Sequence, residues 1–275
     1  MNRVRLGAVG YLNARPLVFG LEDVADFQLR FDVPSRCAEL LHGGGIDVGL
    51  IPSIEYIRPS GSSGTHDEYQ VAPGLAIASR GEVASVALFT TRAMSDVRSI
   101  ALDTSSRTSV ALVRVLCSRH YGIGPRLASH GPDLTGMLAN CDAALLIGDK
   151  ALFQPTLVEG VRSRVEKIDL GSVWTAMTGL PFVWAFWAGR RGALTSAQIS
   201  LLQQARDAGM AAVDVISREY FPGAPERQKI GADYLRDNIK YDFGPDERAA
   251  VELFYRYAAE AGVVGTPGPV RFFGE

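Results

Sequence analysis

Short apolar segments alternate with amphipathic ones through the first half of the chain, and this alternation restricts the fold more than any other feature. Strand candidates cover residues 4–9, 27–33 and 46–51. A helix candidate at about residues 35–42 lies between the last two strands and ends at three consecutive glycines. Because strands joined through helices form parallel βαβ units, we predict an α/β protein.

A second series of the same kind follows. A loop rich in glycine and serine at residues 59–65 and two strand candidates at residues 75–79 and 83–90 lead into it. Its strand candidates are residues 100–102, 143–147 and 182–187, and its helix candidates are about residues 108–120 and a segment near Val173. From Thr195, which forms a capping box with Gln198, the pattern changes to three consecutive amphipathic helices.

This order of elements predicts two lobes. We expect the chain to pass into the second lobe near Thr91 and to return near Ala188, so that residues 1–90 and 189–275 form one lobe and residues 91–188 the other. A double crossing leaves a cleft, and two-lobed proteins bind ligands in such a cleft and often close over them by hinge motion. Binding residues are therefore expected at strand ends that face the cleft.

Composition favours a small-molecule ligand. The chain has 28 lysines and arginines against 30 aspartates and glutamates, a net charge of -2, and this balance gives no attraction for nucleic acid or an anionic membrane. It begins with a charged strand candidate rather than a signal peptide, and no apolar run reaches the length of a bilayer. Three widely spaced cysteines without a CxxC pair are expected to be buried side chains. We therefore expect a cytoplasmic protein.

Asn13 is the first candidate for a binding residue. It lies in the segment GYLNARPL, directly after the strand candidate at residues 4–9. Asparagine tolerates left-handed backbone angles and caps helices, so the local sequence favours a turn residue. The alternative is a ligand contact, because open α/β sheets bind ligands beyond the carboxyl ends of their strands. The local sequence leaves both interpretations open.

A cluster of hydroxyl residues at the start of a helix is the strongest local signal. In the segment LDTSSRTSVALVRVLC, at residues 102–117, a strand ends and a helix begins at about Thr108. Free N–H groups and hydroxyls at a helix N-terminus bind carboxylates or phosphates, and the helix dipole adds to the attraction. The candidate binding residues are Ser106, Arg107, Thr108 and Ser109. Simple N-capping is the alternative.

Three further residues have weaker signals. Gly148 follows the strand candidate at residues 143–147 and allows a ligand to approach the backbone closely, although the following Asp149 also fits a helix cap. Ser53 fits a helix cap as well as a ligand contact. Ser85 interrupts the apolar segment VASVALFT, where its hydroxyl either bonds a neighbouring carbonyl or reaches the cleft. Each of the three is therefore a candidate binding residue with a structural alternative.

Motifs of several enzyme classes are missing from the sequence. The four histidines have no HExxH or paired-ligand spacing, which argues against a metal site. The sequence has no GxSxG elbow, no P-loop and no GxGxxG after a strand, which argues against serine hydrolases, nucleotide hydrolases and Rossmann dehydrogenases. We therefore expect any chemistry to run without a metal or a cofactor.

Five segments together resemble one family. They are, in chain order, GYLNARPL, IDVGLIPSIEY, TSSRTSVAL, ALLIGDKAL and DLGSVWTAMTGLPFVWAFWA, within residues 5–188. In order and spacing they resemble the MqnA family, the chorismate dehydratases of menaquinone biosynthesis by the futalosine pathway. The sister dihydroxynaphthoate synthase shares the fold but usually opens with a Pro-Asn-Asp segment, which this sequence lacks.

The resemblance implies a two-lobed fold of the type II periplasmic-binding-protein class. It also implies conversion of chorismate to 3-[(1-carboxyvinyl)oxy]benzoate and water without a cofactor. The family places the asparagine of its YLN motif in the active site, and that residue is Asn13 in this sequence. An amide is a very poor base, so we expect Asn13 to orient the substrate while the substrate's own enolpyruvyl carboxylate accepts the ring proton. A binding-only protein of the same fold is the alternative from another class.

Overall fold

Two kinds of element alternate in the computed structural model, which describes residues 3–57, 69–155 and 164–275. The loop expected at residues 59–65 lies outside these ranges. The strands are β1 Val4–Val9, β2 Phe27–Asp32, β3 Val48–Pro52, β4 Tyr69–Ser79, β5 Val86–Thr90, β6 Ser99–Asp103, β7 Arg126–His130, β8 Ala143–Ile147, β9 Glu166–Asp169 and β10 Phe182–Arg190. The α-helices are α1 Pro34–His42, α2 Arg107–Leu116, α3 Leu134–Asn140, α4 Gly148–Leu152, α5 Leu170–Thr178, α6 Ser196–Ala211, α7 Val213–Tyr220, α8 Pro225–Asp233 and α9 Pro245–Glu260.

The strands form two five-stranded sheets with the same plan. The first sheet has the order β2-β1-β3-β10-β4 and the second the order β7-β6-β8-β5-β9. In each sheet the first three strands are parallel, and the fourth is antiparallel to both of its neighbours. The chain leaves the first sheet after β4 and returns to it as β10, after the second sheet is complete. The predicted α/β class is therefore confirmed.

The two crossings lie earlier in the chain than the sequence pattern predicts. The predicted boundaries near Thr91 and Ala188 put β5 in the first lobe and β10 in the second, but each strand belongs to the other sheet. The chain crosses between β4 and β5, and it returns between β9 and β10. Both strands are almost fully buried, and an apolar segment of this kind has no periodic signal that shows which sheet accepts it.

Some elements have no counterpart in the sequence pattern. β7 is an edge strand in which every residue is at least partly exposed, so it lacks the apolar alternation of a buried strand. The elements α3 and β9 are short and partly polar, so the sequence pattern does not predict them either. After Thr195 the chain forms the four helices α6 to α9 rather than three, because a break at Ala212 separates α6 from α7. The capping box between Thr195 and Gln198 is present.

The C-terminal helices support the turn that follows β1. This turn is a short 3-10 helix, Leu12–Val18, which we call the asparagine turn because it carries Asn13. α6 crosses it so closely that a Cβ atom at Gly209 would overlap the backbone of Pro16. Only glycine permits this approach, so the end of the chain fixes a segment near its beginning.

No helix within the described ranges is long and apolar enough to cross a membrane.

Candidate active site

A pocket lies between the two sheets, at the strand ends where the sequence predicts the binding residues. It has about 500 Å³ of space including its open mouth. Its walls are mostly apolar with a small number of polar groups, as in sites that bury a small organic molecule. The lining residues are Val9, Tyr11, Asn13, Pro34, Pro52, Ile77, Val83, Ser85, Val86, Ser106, Ser109, Ile147, Gly148, Trp184 and Ala185. Five predicted site residues, Asn13, Ser85, Ser106, Ser109 and Gly148, are among them.

Asn13 is a turn residue, and its side chain also lines the pocket. It lies in the asparagine turn, and its backbone oxygen accepts a hydrogen bond from the Tyr241 hydroxyl at 2.9 Å. Its side chain lines the pocket, and its Oδ1 is buried with no hydrogen-bond partner among the residues that the structure describes. A buried acceptor without a partner costs about 1–3 kcal/mol. A ligand that donates a hydrogen bond to Oδ1 removes this cost.

Ser85 reaches the pocket from the crossover between β4 and β5. It is 1% exposed, and its Oγ lies 2.7 Å from the hydroxyl of Tyr234. Burial raises the pKa of Tyr234, and hydrogen bonds from the Ser85 and Asn13 side chains oppose this shift. Tyr234 is therefore a neutral hydroxyl at neutral pH. It joins Ser85 and Asn13, two polar side chains that line the pocket.

The start of α2 forms the opposite wall. Ser106 is the N-cap of α2, and its Oγ accepts a hydrogen bond from the Ser109 N–H at 3.4 Å and lies 3.0 Å from Ser109 Oγ. Just before it, the Asp103 carboxylate accepts hydrogen bonds from the N–H and the hydroxyl of Ser105 at 3.0 and 2.6 Å. The helix N-terminus and its two hydroxyls therefore face the pocket and suit a carboxylate ligand.

Three of the predicted site residues lie outside the walls of the pocket. Arg107 forms ion pairs with Glu55 at 3.0 Å and Glu39 at 3.1 Å. Thr108 Oγ1 accepts a hydrogen bond from the N–H of Ile54 at 3.2 Å. Successive helix residues point about 100° apart, so Ser106 and Ser109 share one face while the two residues between them turn away.

Ser53 is the third of these residues. Its hydroxyl donates a hydrogen bond to the Val183 carbonyl at 2.8 Å and lies 3.4 Å from Thr108 Oγ1. It is completely buried. Ser53 and Thr108 therefore join the first sheet to α2, which is a structural role, and the structure does not bring them to the ligand space.

Contacts across the pocket join the two sheets. Gly148 has a φ of 61°, and a Cβ there would lie 3.5 Å from the ring of Tyr11, so the ring can rest on the backbone. The next residue, Asp149, accepts hydrogen bonds from the Tyr220 hydroxyl at 2.6 Å and from the backbone N–H of Leu12. Burial raises the pKa of Asp149, and these two bonds oppose the shift. Asp149 thus ties the second sheet to the asparagine turn.

Sequence reasoning missed four residues that shape the site. Tyr11 and Trp184 line the pocket, and the Trp184 Nε1 donates a hydrogen bond to Ser79 Oγ at 3.1 Å. Tyr11 is within the GYLNARPL segment and Trp184 is on an aromatic strand, so both had a weak signal. Tyr234 and Tyr241 had none, because they lie in C-terminal helical and loop segments far from Asn13 in sequence.

The polar groups of the pocket are hydroxyls, an amide and backbone groups. Within the part of the chain that the structure describes, no group of three histidine, cysteine, aspartate or glutamate side chains is arranged to hold a metal ion. The cysteines Cys37, Cys117 and Cys141 are free and buried, as expected, and burial raises the pKa of Cys117 to about 11. Hydroxyl, amide and backbone N–H groups remain, and these suit an organic anion.

Comparisons with known proteins agree with this arrangement. The model of the menaquinone biosynthesis family matches residues 4–260. A chorismate dehydratase of Thermus thermophilus is 30% identical over 287 aligned residues, which cover 98% of each chain. The similarity therefore includes both sheets, the crossovers and the C-terminal helices, rather than one lobe alone.

Solved structures show the fold. A protein of Archaeoglobus fulgidus superposes with a TM-score of 0.69 at 15% identity, over 95% of this chain and 98% of that one. A periplasmic sulfonate-binding protein of an ABC transporter from Methylobacillus flagellatus superposes with a TM-score of 0.53 at 14% identity, over 97% and 89% of the two chains. The expected two-lobed periplasmic-binding-protein fold is therefore confirmed.

Proposed function

Because the chain belongs to the menaquinone biosynthesis family, as its five sequence segments indicate, we propose that it is a chorismate dehydratase, a carbon-oxygen lyase. One observation of the structure carries the proposal beyond the family. The Oδ1 of Asn13, which has no hydrogen-bond partner in the described part of the chain, belongs to a pocket whose opposite wall is a helix N-terminus with two hydroxyls. This combination fits a ring that has both a hydroxyl and carboxylates.

The proposed reaction converts chorismate to 3-[(1-carboxyvinyl)oxy]benzoate and water. The ring carbon that bears the enolpyruvyl ether loses a proton, and the electrons of its C–H bond form a double bond to the neighbouring carbon. The C–O bond at that neighbour breaks, and the hydroxyl leaves with a proton as water. The ring becomes aromatic, so the driving force lies in the substrate. The step is neutral in oxidation state, and we propose that it needs no cofactor.

The start of α2 is the proposed binding site for a substrate carboxylate. Its free N–H groups and the hydroxyls of Ser106 and Ser109 are donors, and the helix dipole favours a negative charge. Gly148 lines the pocket beside it, under the ring of Tyr11. Holding the substrate in this way converts a reaction of free molecules into one with a fixed geometry.

Asn13 and Ser85 are the proposed positioning groups for the reacting part of the ring. The Asn13 Oδ1 accepts a hydrogen bond from the ring hydroxyl, and its amide N–H₂ group is a donor to an oxygen of the substrate. Ser85 is held by Tyr234 at the same end of the pocket. Both side chains fix the geometry of elimination, and neither is a base.

The proposed proton acceptor is the substrate's own enolpyruvyl carboxylate. The described lining of the pocket includes no histidine, lysine or carboxylate side chain. Asp149 and Glu82 are each next to a lining residue in sequence, but Asp149 accepts a hydrogen bond from Tyr220 and Glu82 is exposed. The enolpyruvyl carboxylate is attached to the carbon that loses the proton through the ether, so it lies close to that proton in the bound substrate.

The test is to incubate the purified protein with chorismate and follow the ultraviolet spectrum and the product by NMR. We expect one equivalent of the aromatic ether for each equivalent of chorismate. Binding of chorismate without any aromatic product would contradict the proposal and favour a binding-only protein of the same fold. Chorismate labelled with deuterium at the carbon that loses its proton adds a second check, because the label must be absent from the product.

A further inference from the structure

Ala84 has an unusual backbone conformation next to the pocket. Its φ is 61°, and it is the one residue other than glycine with a positive φ in the described ranges. The N–H of Ser85 donates a hydrogen bond to the Val83 carbonyl at 2.7 Å, which makes Val83 to Ser85 a γ-turn centred on Ala84. Turns of this kind with positive φ are rare and strained. Some other contact must therefore hold the turn in place.

Two charged side chains of β9 supply that contact. Asp169 Oδ2 accepts a hydrogen bond from the N–H of Ala84 at 2.7 Å, and its Oδ1 accepts one from the N–H of Val83 at 3.0 Å. Lys167 Nζ donates a hydrogen bond to the carbonyl of Ala84 at 2.9 Å. Both polar backbone groups of the strained residue are thus bonded to ionised side chains, and such bonds are stronger than neutral ones.

The start of α5 packs against the same crossover. Asp169 is also the N-cap of α5 and accepts a hydrogen bond from the N–H of Ser172 at 2.9 Å. A Cβ atom at Gly171 would lie 2.5 Å from the carbonyl oxygen of Gly81 and 2.8 Å from Ser79 Oγ. The segment DLGS therefore fits the crossover without space for a larger residue at Gly171, and it fixes the backbone from which Ser85 projects.

We propose that Asp169 and Lys167 are positioning residues, which hold Ala84 in its strained turn and thereby hold the Ser85 hydroxyl in the pocket beside Tyr234. The proposal rests on the proposed dehydratase function. Neither residue lines the pocket, so each acts through the backbone of the crossover. The strain at Ala84 has a use in this arrangement, because a relaxed turn would point Ser85 in another direction.

The test is a cycle of the variants Asp169→Asn, Ala84→Gly and their combination, with turnover of chorismate measured well below the unfolding temperature. We expect Asp169→Asn to lower kcat at least about tenfold, with a smaller change in KM, because an amide loses one of the two acceptor oxygens. Glycine adopts positive φ without strain, so Ala84→Gly in the Asp169→Asn protein is expected to recover part of kcat. A loss that glycine does not relieve would overturn the proposal.

A matched control separates this role from simple helix capping. Asp133 is an exposed N-cap of α3 that does not line the pocket, and it accepts a hydrogen bond from the N–H of Gly136 at 3.2 Å. Asp133→Asn should leave kcat unchanged. If Asp169→Asn does not fold, Lys167→Met replaces it in the cycle, because this variant keeps the side-chain stem and removes the ammonium bonds to the Ala84 and Ala151 carbonyls.

Unfolding free energies of the same four proteins test the strain without any ligand. Ala84→Gly relieves strain only while the turn is held, so it should stabilise the protein with Asp169 more than the Asp169→Asn protein. Equal effects in the two backgrounds would overturn the proposal whether or not the wild type turns over chorismate. A wild type that shows this coupling but forms no aromatic product would contradict the proposed function alone.

Discussion

Two segments face each other across the pocket, and they are held in place by different kinds of contact. The hydroxyls at the start of α2 that line the pocket are held by their own neighbours, since Ser106 lies beside Ser109 and Asp103 bonds Ser105. Arg107 and Thr108, on the other face of the helix, make its long-range contacts. The asparagine turn is held by residues far away in sequence. The Tyr241 hydroxyl bonds the Asn13 carbonyl across 228 positions, and Asp149 of α4 accepts a hydrogen bond from the N–H of Leu12.

This difference matches two tasks, which are binding of an anion and positioning of the reacting group. The start of α2 presents N–H and hydroxyl donors that come from its local sequence, so it suits the task of attracting an anion. In the asparagine turn the Asn13 Oδ1 has no partner among the described residues, while distant residues fix the backbone of the turn. A group that must meet a reacting atom in one geometry needs that external support, because a loose side chain loses the benefit of orientation.

The largest effect is expected at Asn13. Asn13→Asp keeps the shape of the side chain but removes the amide donor and adds a negative charge opposite an anionic substrate. We expect kcat to fall by about a hundredfold or more, as when one oriented donor is removed from an active site. The same change at the exposed Asn140, whose amide bonds the Gly136 carbonyl, is the control in a kinetic assay. Full turnover with normal substrate affinity would show that the donor is not required.

The external support of the asparagine turn is tested at Tyr220. Tyr220→Phe removes the hydroxyl that donates to the Asp149 carboxylate at 2.6 Å and to the Gly10 carbonyl at 3.2 Å, which should lower the free energy of unfolding by about 1.5–3 kcal/mol at neutral pH. Urea titrations of both proteins measure this difference.

The same pair of proteins gives a pH dependence with a definite sign. Burial raises the pKa of Asp149 and the bond from Tyr220 opposes the shift, so Tyr220→Phe should raise the pKa of native Asp149 further. The stability difference is then full above both native pKa values and shrinks as the pH falls through them, because a protonated Asp149 gains less from the bond. A difference that grows towards acid pH would show that Asp149 is not the partner that matters.

A smaller effect is expected at the locally held wall. Ser106→Ala removes the N-cap of α2 and should cost about 1 kcal/mol of unfolding free energy. Thr195→Ala, at the N-cap of α6, is expected to cost a similar amount and provides the control. Only Ser106→Ala should also raise the KM for chorismate. If both variants leave KM unchanged, the start of α2 is a structural cap and not a binding wall.

The smallest effect on the substrate is expected at Arg107. Arg107→Gln removes a cation next to the proposed carboxylate site, but the guanidinium is turned towards Glu39 and Glu55. We therefore expect the KM for chorismate to change by less than about twofold, since a charge paired elsewhere and partly exposed adds little at the pocket. A tenfold rise of KM in steady-state kinetics would mean that Arg107 reaches the bound substrate.

The same contrast between local and long-range contacts explains which site residues the sequence predicts. The hydroxyl cluster at Ser106 and Ser109 is a local pattern, and both residues are found in the pocket. Arg107 and Thr108 belong to the same cluster but are turned away by the helical period, which the cluster alone does not show. Asn13 is also in the pocket, although its local sequence favours a turn, and the family resemblance was needed to choose the ligand contact.

Contacts between residues far apart in sequence limit the prediction of the other site residues and of the sheet topology. Tyr234 meets Ser85 across 149 positions, and no local pattern marks a tyrosine in a C-terminal helical segment for such a contact. β1 and β8 were predicted with the bounds that the structure has, because both are short apolar strands between clear breaks. β5 and β10 were predicted as strands, but the sheet that accepts each of them depends on the whole topology.

The bonds from Tyr234 and Tyr241 also set an order of events during synthesis. A ribosome extends the chain from its N-terminus, so Asn13 and Ser85 emerge while most of the protein is still untranslated. Both sheets are complete in sequence once β10 ends at Arg190. The two tyrosine hydroxyls come later, at residues 234 and 241. A nascent chain therefore acquires the walls of its pocket first, and the groups that align the reacting residues arrive only with the last sixth of the protein.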